Sequence, residues 1–125
     1  MLEKLLIVDD EKNIRESIIR LLKAKGYDTE GAESGTEALQ KIRSKSFDLI
    51  VVDFMMPGID GLETFRRAKE INPEIKAIML TGYGAPEREI EVKELGVKKF
   101  VRKPVTIEQL VDVVNDTLNK SRIEK

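Results

Sequence analysis

The chain has 125 residues, 41% of them apolar and 36% charged, and its 22 basic against 23 acidic side chains leave a net charge of −1. That length fits one domain, and the near balance of charge argues against both a protein that holds nucleic acid through a basic field and a generally disordered chain. With no cysteine and no histidine, disulfides, thiolate sites, His-ligated zinc, Ser-His-Asp hydrolysis and a phosphohistidine on this chain are excluded, so a bound metal would be a hard cation held by oxygen.

Residues 5–8 (LLIV) form a continuous apolar run, as expected of a strand buried on both faces. Residues 12–25 follow helical spacing, with Ile14, Ile18, Leu21 and Leu22 on one side and Gly26 as the stop. A weaker strand, expected near an edge, covers residues 27–31. Ser34-Gly35-Thr36-Glu37 has capping-box spacing, and Ala38, Leu39 and Ile42 follow as a helix face. Residues 49–52 (LIVV) are the second strong buried-strand run and end in Asp53; Pro57, Gly58, Asp60 and Gly61 then make a dense turn signal. A helix is expected over 62–71, a strand over 75–80 ending at Thr81, and a loop over 82–85. Pro86 suits the first turn of a helix reaching Leu95, with Gly96 after it. The last pair is a strand over 97–101 and a helix opened by a second capping box, Thr106 to Gln109, that carries Ile107, Leu110, Val111, Val114 and Leu118. From about Asn119 the polar tail is expected to fray.

Five strands alternating with five helices imply an α/β fold, a parallel sheet with helices on both faces and right-handed crossovers. No run approaches the roughly 20 apolar residues of a membrane span, and the apolar stretch at the N-terminus is too short for a signal peptide. A soluble, cytoplasmic protein without membrane contact is expected.

Ligands of open parallel sheets bind at the carboxyl ends of the strands. There this chain carries Asp9 and Asp10, Asp53, Thr81, and Lys103 followed by Pro104. Singly, each has an ordinary structural reading: a helix cap, a turn residue, a strand-end hydroxyl, a solvated lysine. Two adjacent acids at a buried strand end repel unless a cation lies between them, and the set together points to phosphoryl chemistry. Asp10 and Asp53 can hold a divalent ion while Asp9 orients its waters. The ion and Lys103 would neutralise a phosphoryl group in flight. Asp53, alone at its strand end, is the candidate nucleophile, and Thr81 can donate to a phosphate oxygen. No Gly-rich phosphate cradle follows the first strand, which disfavours a nucleotide-binding domain.

The segments LLIVDDE, LIVVDFMMPGIDGLE, AIMLTGYG and FVRKP resemble the receiver domain of bacterial two-component response regulators, over about residues 5–118 and in the same order. The resemblance implies a flavodoxin-like (βα)5 fold, doubly wound, with a five-stranded sheet in the order 2-1-3-4-5. It implies Asp53 as phosphoacceptor, and Asp9, Asp10, Asp53 and the Met55 backbone carbonyl around Mg²⁺, with Mn²⁺ as substitute. Thr81 matches the switch hydroxyl, Phe100 the switch aromatic and Lys103 the lysine of the site; Lys103-Pro104 matches a bond commonly cis. Implied partners are a histidine kinase or histidine phosphotransfer protein as donor, meeting Asn13, Ile14, Ser17, Pro104 and Val105, and a downstream protein of unspecified identity. Ile14 serves equally well as a core residue beside Ile18. Two departures stand out: Phe100 lacks the hydroxyl of relatives with Tyr, and Lys93 replaces an apolar residue on the fourth helix. From its position alone, two residues after Thr81, Tyr83 could overhang the phosphoryl group and slow water attack; it reads at least as well as a mobile, exposed loop aromatic. The chain is expected to be a single receiver domain over 1–125, core about 4–119, or the receiver piece of a longer regulator. Expected chemistry is limited to self-phosphorylation and self-dephosphorylation, not enzymatic turnover. The alternatives are a Mg²⁺-dependent phosphatase or phosphotransferase with an aspartyl nucleophile, and a docking pseudo-receiver.

Overall fold

A computed structural model of the protein describes residues 2–82 and 89–123. Its elements alternate as β1 (Lys4–Val8), α1 (Lys12–Ala24), β2 (Asp28–Ala32), α2 (Gly35–Ser44), β3 (Leu49–Asp53), α3 (Gly61–Ile71), β4 (Lys76–Thr81), α4 (Glu89–Leu95), β5 (Lys99–Arg102) and α5 (Ile107–Ile123). All neighbouring strands pair in parallel, in the order β2-β1-β3-β4-β5. This is the doubly wound, flavodoxin-like arrangement that the resemblance implied. Strand order reverses between β1 and β3, which directs a ligand to the carboxyl end of those two strands.

The sheet divides the core in two, and side-chain alternation decides which residues go where. Leu6, Val8, Ile50, Val52, Ala77 and Met79 face one way and join α2, α3 and α4 through Leu39, Ile42, Leu62, Phe65, Ala68 and Val92. Leu5, Ile7, Leu49, Val51, Ile78 and Leu80 face the other way and join Ile18 and Leu22 of α1 and Leu110, Val114 and Leu118 of α5. Coverage on both faces is why these strands read as unbroken apolar runs rather than alternating ones.

Several boundaries differ from expectation. After α1, Gly26 takes φ +97°, its amide reaches the Lys23 carbonyl and the Tyr27 amide the Leu22 carbonyl, a two-bond helix stop that consumes Tyr27 and delays β2 to Asp28. Tyr27 instead donates its hydroxyl to the Asn115 side chain of α5. The same motif ends α4: Gly96 has φ +97° and the Gly96 and Val97 amides go to the Lys93 and Val92 carbonyls, so β5 starts at Lys99, not at residue 97. At α2, Ser34 accepts the Glu37 amide at 3.1 Å, but the Glu37 carboxylate takes the amide of Glu33 at 2.7 Å, one residue outside the expected box. Thr106 and Gln109 do form the reciprocal box, at 3.0 and 2.9 Å. No Gly or Pro interrupts the polar end of α5, and it stays helical to Ile123, past the point where fraying was expected. Tyr83, Pro86 and the loop beyond Gly82 lie outside the described residues.

Candidate functional site

Each strand end delivers its residue to one edge of the sheet. β1 runs into Asp9 and Asp10; the Asp9 amide still pairs with the Ala32 carbonyl at 3.1 Å, so Asp9 is held as firmly as the strand itself. Its carboxylate accepts the Glu11 amide at 2.8 Å. The ordinary reading of a cap is therefore half right: Asp9 closes the turn into α1, and Glu11 at the N-cap makes no side-chain cap of its own. Asp53 is the last residue of β3, paired in register with Leu80. The peptide after it is fixed by the Phe54 amide on the Leu80 carbonyl at 2.7 Å. Helix α3 rests on this corner: the Gly61 amide donates to the Phe54 carbonyl at 2.9 Å, and a Cβ on Gly61 would lie 2.6 Å from the Asp53 carbonyl oxygen and 2.9 Å from the Phe54 Cα. Only glycine lets the helix start this close to the backbone of Asp53.

Lys103 follows β5, its amide bound to the Thr81 carbonyl at 2.7 Å, and precedes a cis peptide to Pro104. Its Nζ donates to Asp53 Oδ2 at 2.9 Å, and Asp53 Oδ1 accepts the Met55 amide at 3.3 Å. Carboxylate oxygens of Asp9, Asp10 and Asp53 lie within 4.8 Å of one another. Asp9 and Asp53 are buried while Asp10 is exposed. Thr81 is 1% exposed, and its Oγ1 has no hydrogen-bond partner among the described residues, an arrangement folded proteins seldom leave without a use.

Three carboxylates against one ammonium leave a local surplus of negative charge. Burial pushes the Asp9 carboxyl above its ordinary value, and the charges of Asp53 and Asp10 add to the rise against the Glu11 amide and Lys103. Burial alone would lower the Lys103 ammonium; its bond to Asp53 and the charges of Asp53, Asp9 and Glu11 outweigh that and raise it. This donor set, oxygen only, crowded and electrically unsatisfied, fits a hard divalent cation.

Because folding raises the Asp9 pKa, ionising Asp9 costs stability: its contribution is most favourable below the unfolded value and is lost as pH rises through the folded one. Asp9→Asn, which still accepts from Glu11, is expected to stabilise the metal-free protein at neutral pH by on the order of 1 kcal/mol, roughly 4 °C in Tm. The gain should shrink as pH falls toward 4, and melts in EDTA across that range check it.

The other predicted positions spread around this corner. Phe100 is half-buried and packs with the α2–α4 layer. It pairs in register with Met79, placing it on the same face of the sheet as Thr81, two residues along β4. Ile14 is 40% exposed, unlike buried Ile18, so it sits at the surface rather than in the core. With Pro104 and Val105 it lines a groove of about 310 Å³ between α1 and the start of α5 that includes Asp9 and Lys103. Asn13 is exposed and does not line that groove; Ser17 lines an adjoining one of about 500 Å³. Lys93 is exposed on α4. One neighbour escaped the sequence reading: Nη1 of Arg15 donates to the Asp9 carbonyl at 2.8 Å. Its place on α1 flanking the buried stripe was the available signal.

Residues 5–115 match the family model described as response regulator receiver domain. The chain is 37% identical over 118 residues to sporulation initiation phosphotransferase F of Bacillus subtilis (strain 168), spanning 94% of this chain and 95% of that protein. It is 32% identical over 121 residues to response regulator MprA of Mycobacterium ulcerans (strain Agy99), covering 97% of this chain and 52% of MprA, about half the relative's length. Among solved structures it is similar to a response regulator receiver domain protein (CheY-like) from Methanospirillum hungatei JF-1, with a TM-score of 0.91, 31% identity and full coverage of both chains.

Proposed function

Since the chain belongs to the response regulator receiver domain family and serves as a phosphorelay receiver, we propose that Asp53 is its phosphoacceptor. The observation that carries this reading is the buried Asp53 carboxylate, bonded to Lys103 at 2.9 Å and grouped with the acids of Asp9 and Asp10. Asp9, Asp10, Asp53 and the Met55 backbone carbonyl would hold Mg²⁺, or Mn²⁺ in its place. When bound, the cation offsets negative charge on the phosphoryl group as it transfers.

An Asp53 carboxylate oxygen attacks the phosphorus of an incoming phosphohistidine; the new O–P bond forms as the N–P bond breaks, and the imidazole leaves with the partner. The donor histidine has to come from outside, since this chain contains none. Lys103 transfers its hydrogen bond from the carboxylate to a phosphoryl oxygen and stabilises charge there. A phosphoryl group adds about −1.5 to −2 charge and gives the Thr81 hydroxyl, which has no partner among the described residues, an acceptor. Thr81 moving toward it opens space on the face where Phe100 packs, and α4 shifts between two populations.

The donor is a histidine kinase or histidine phosphotransfer protein; the groove beside Asp9 and Lys103 supports its docking on Ile14, Pro104 and Val105, with Ser17 in the adjoining groove and exposed Asn13 on the same helix completing the surface. The message passes to a downstream protein without direct nucleic-acid binding. The chain acts as one receiver domain over 1–125 with its core at about 4–119, and its chemistry is confined to gaining and losing its own phosphoryl group. No described helix is long and apolar enough to cross a membrane; the proposed location is the cytoplasm.

Incubation with acetyl phosphate tests the reading. Stoichiometric, hydroxylamine-sensitive label is expected with Mg²⁺ and none with EDTA. Label that ignores the cation, or continuous turnover of the donor without accumulation of labelled protein, would overturn it.

A further inference from the structure

The Asp9 peptide is anchored from three directions. Its amide goes to Ala32 of β2 at 3.1 Å, its carboxylate takes the Glu11 amide at 2.8 Å, and its carbonyl takes Arg15 Nη1 at 2.8 Å. The third anchor differs in kind, because a half-buried cationic side chain has been routed toward a corner that itself favours cations. Its route is visible in β2. A Cβ at Gly31 would stand 3.1 Å from Arg15 Cδ, 3.3 Å from Arg15 Cγ and 2.7 Å from Ile19 Cδ1. Glycine inside a strand weakens it and marks close approach of other groups; here those groups are the tip of Ile19, which is nearest, and the stem of Arg15. Gly31 stands opposite Ile7, two residues before Asp9.

We propose that Arg15 is a positioning residue for divalent-cation binding. Its guanidinium clamps the Asp9 carbonyl and so fixes the turn that presents the Asp9 and Asp10 carboxylates, and Gly31 is the slot through which it reaches. The proposal rests on the assignment of those acids as cation ligands. A guanidinium suits the task because it stays charged and its planar fork is stiff.

Two effects of Arg15 on a bound cation have opposite signs, and this makes the proposal testable. As a bare charge it repels the ion, so its removal would tighten binding. As a clamp it preorganises the ligands, so its removal weakens binding; loss of a group that orients metal ligands typically costs 10–100-fold in affinity.

The experiment is a calorimetric Mg²⁺ titration of the full chain as wild type, Arg15→Met, Gly31→Val and the double variant. Arg15→Met retains the apolar stem on β2 and removes the head; Gly31→Val blocks the slot and retains Arg15. Each single variant is expected to bind Mg²⁺ about tenfold more weakly, and the double variant no more weakly than either, because both changes break one contact. Hydrogen exchange at the Glu11 amide, measured without metal, should quicken in both. A purely structural role would lower the melting temperature and leave Mg²⁺ affinity of the folded protein unchanged. That result, tighter binding in Arg15→Met, or losses that add in the double variant would overturn the proposal. If Arg15→Met does not fold, Gly31→Val decides alone. A wild-type chain that fails to bind Mg²⁺ overturns the assignment of the acids, and the Glu11 exchange rates then separately decide whether Arg15 clamps the turn.

Discussion

Asp53→Asn is expected to reduce phosphoryl incorporation from acetyl phosphate by on the order of 10³-fold or more, because an amide is no nucleophile at neutral pH. The fold should survive the change. Asn has nearly the volume of Asp, its oxygen can still accept from Lys103 or the Met55 amide, and Asp53 makes both contacts in the native site. Loss of the Asp53 charge relieves the Asp9 carboxyl but also removes the ion pair that steadies Lys103; the two effects oppose, so the metal-free variant should still fold and melt near the wild type. Labelling and a thermal melt on the same preparation separate chemistry from folding. Label persisting in a folded Asp53→Asn protein would move the acceptor role to another residue.

The largest expected loss of stability lies one layer below the site. Phe65→Ala should destabilise the protein by about 3–5 kcal/mol, against a total of about 5–15 kcal/mol for a domain, and lower Tm by about 10–20 °C. Phe65 is fully buried in the α2–α4 layer, among residues of β1, β3 and β4, and no other side chain buried as completely is larger. It also supports a link between helices: Lys69 Nζ stands 5.6 Å from the centre of its ring and donates to the Leu95 carbonyl at the end of α4 at 3.3 Å. Urea melts of Phe65→Ala, with the exposed Ile71→Ala as reference, measure the effect; a loss no greater than that of Ile71→Ala would mean that the ring is not the keystone its burial indicates.

Much of this was legible in the order of residues because of one physical circumstance. A strand covered on both faces must be apolar throughout, so residues 5–8 and 49–52 stand out against any helix, and a parallel sheet brings all strand ends of one polarity to one edge. Asp9, Asp10, Asp53, Thr81 and Lys103 meet there for topological reasons, before any distance is known. What stayed illegible depends on contacts across space. Val97 reads as strand but is spent on the stop after α4. Glu37 reads as one half of a box and bonds one residue further out. Ile14 fits the apolar stripe of α1, yet the groove beside α5 leaves it at the surface. Arg15 reads as a surface cation until Gly31 opens its path, and a Thr81 hydroxyl without a partner among the described residues belongs to no local pattern.

The alternation along β4 has a consequence for how a message could cross this molecule. Leu80 turns to the α1 and α5 side, and Thr81, the next residue, continues the opposite series of Ala77 and Met79. In the proposed scheme, a single peptide unit separates the face that would greet a donor from the face that would report to a listener. Under that scheme the sheet would insulate the two sides, and redesigning who speaks to this protein need not disturb who hears from it.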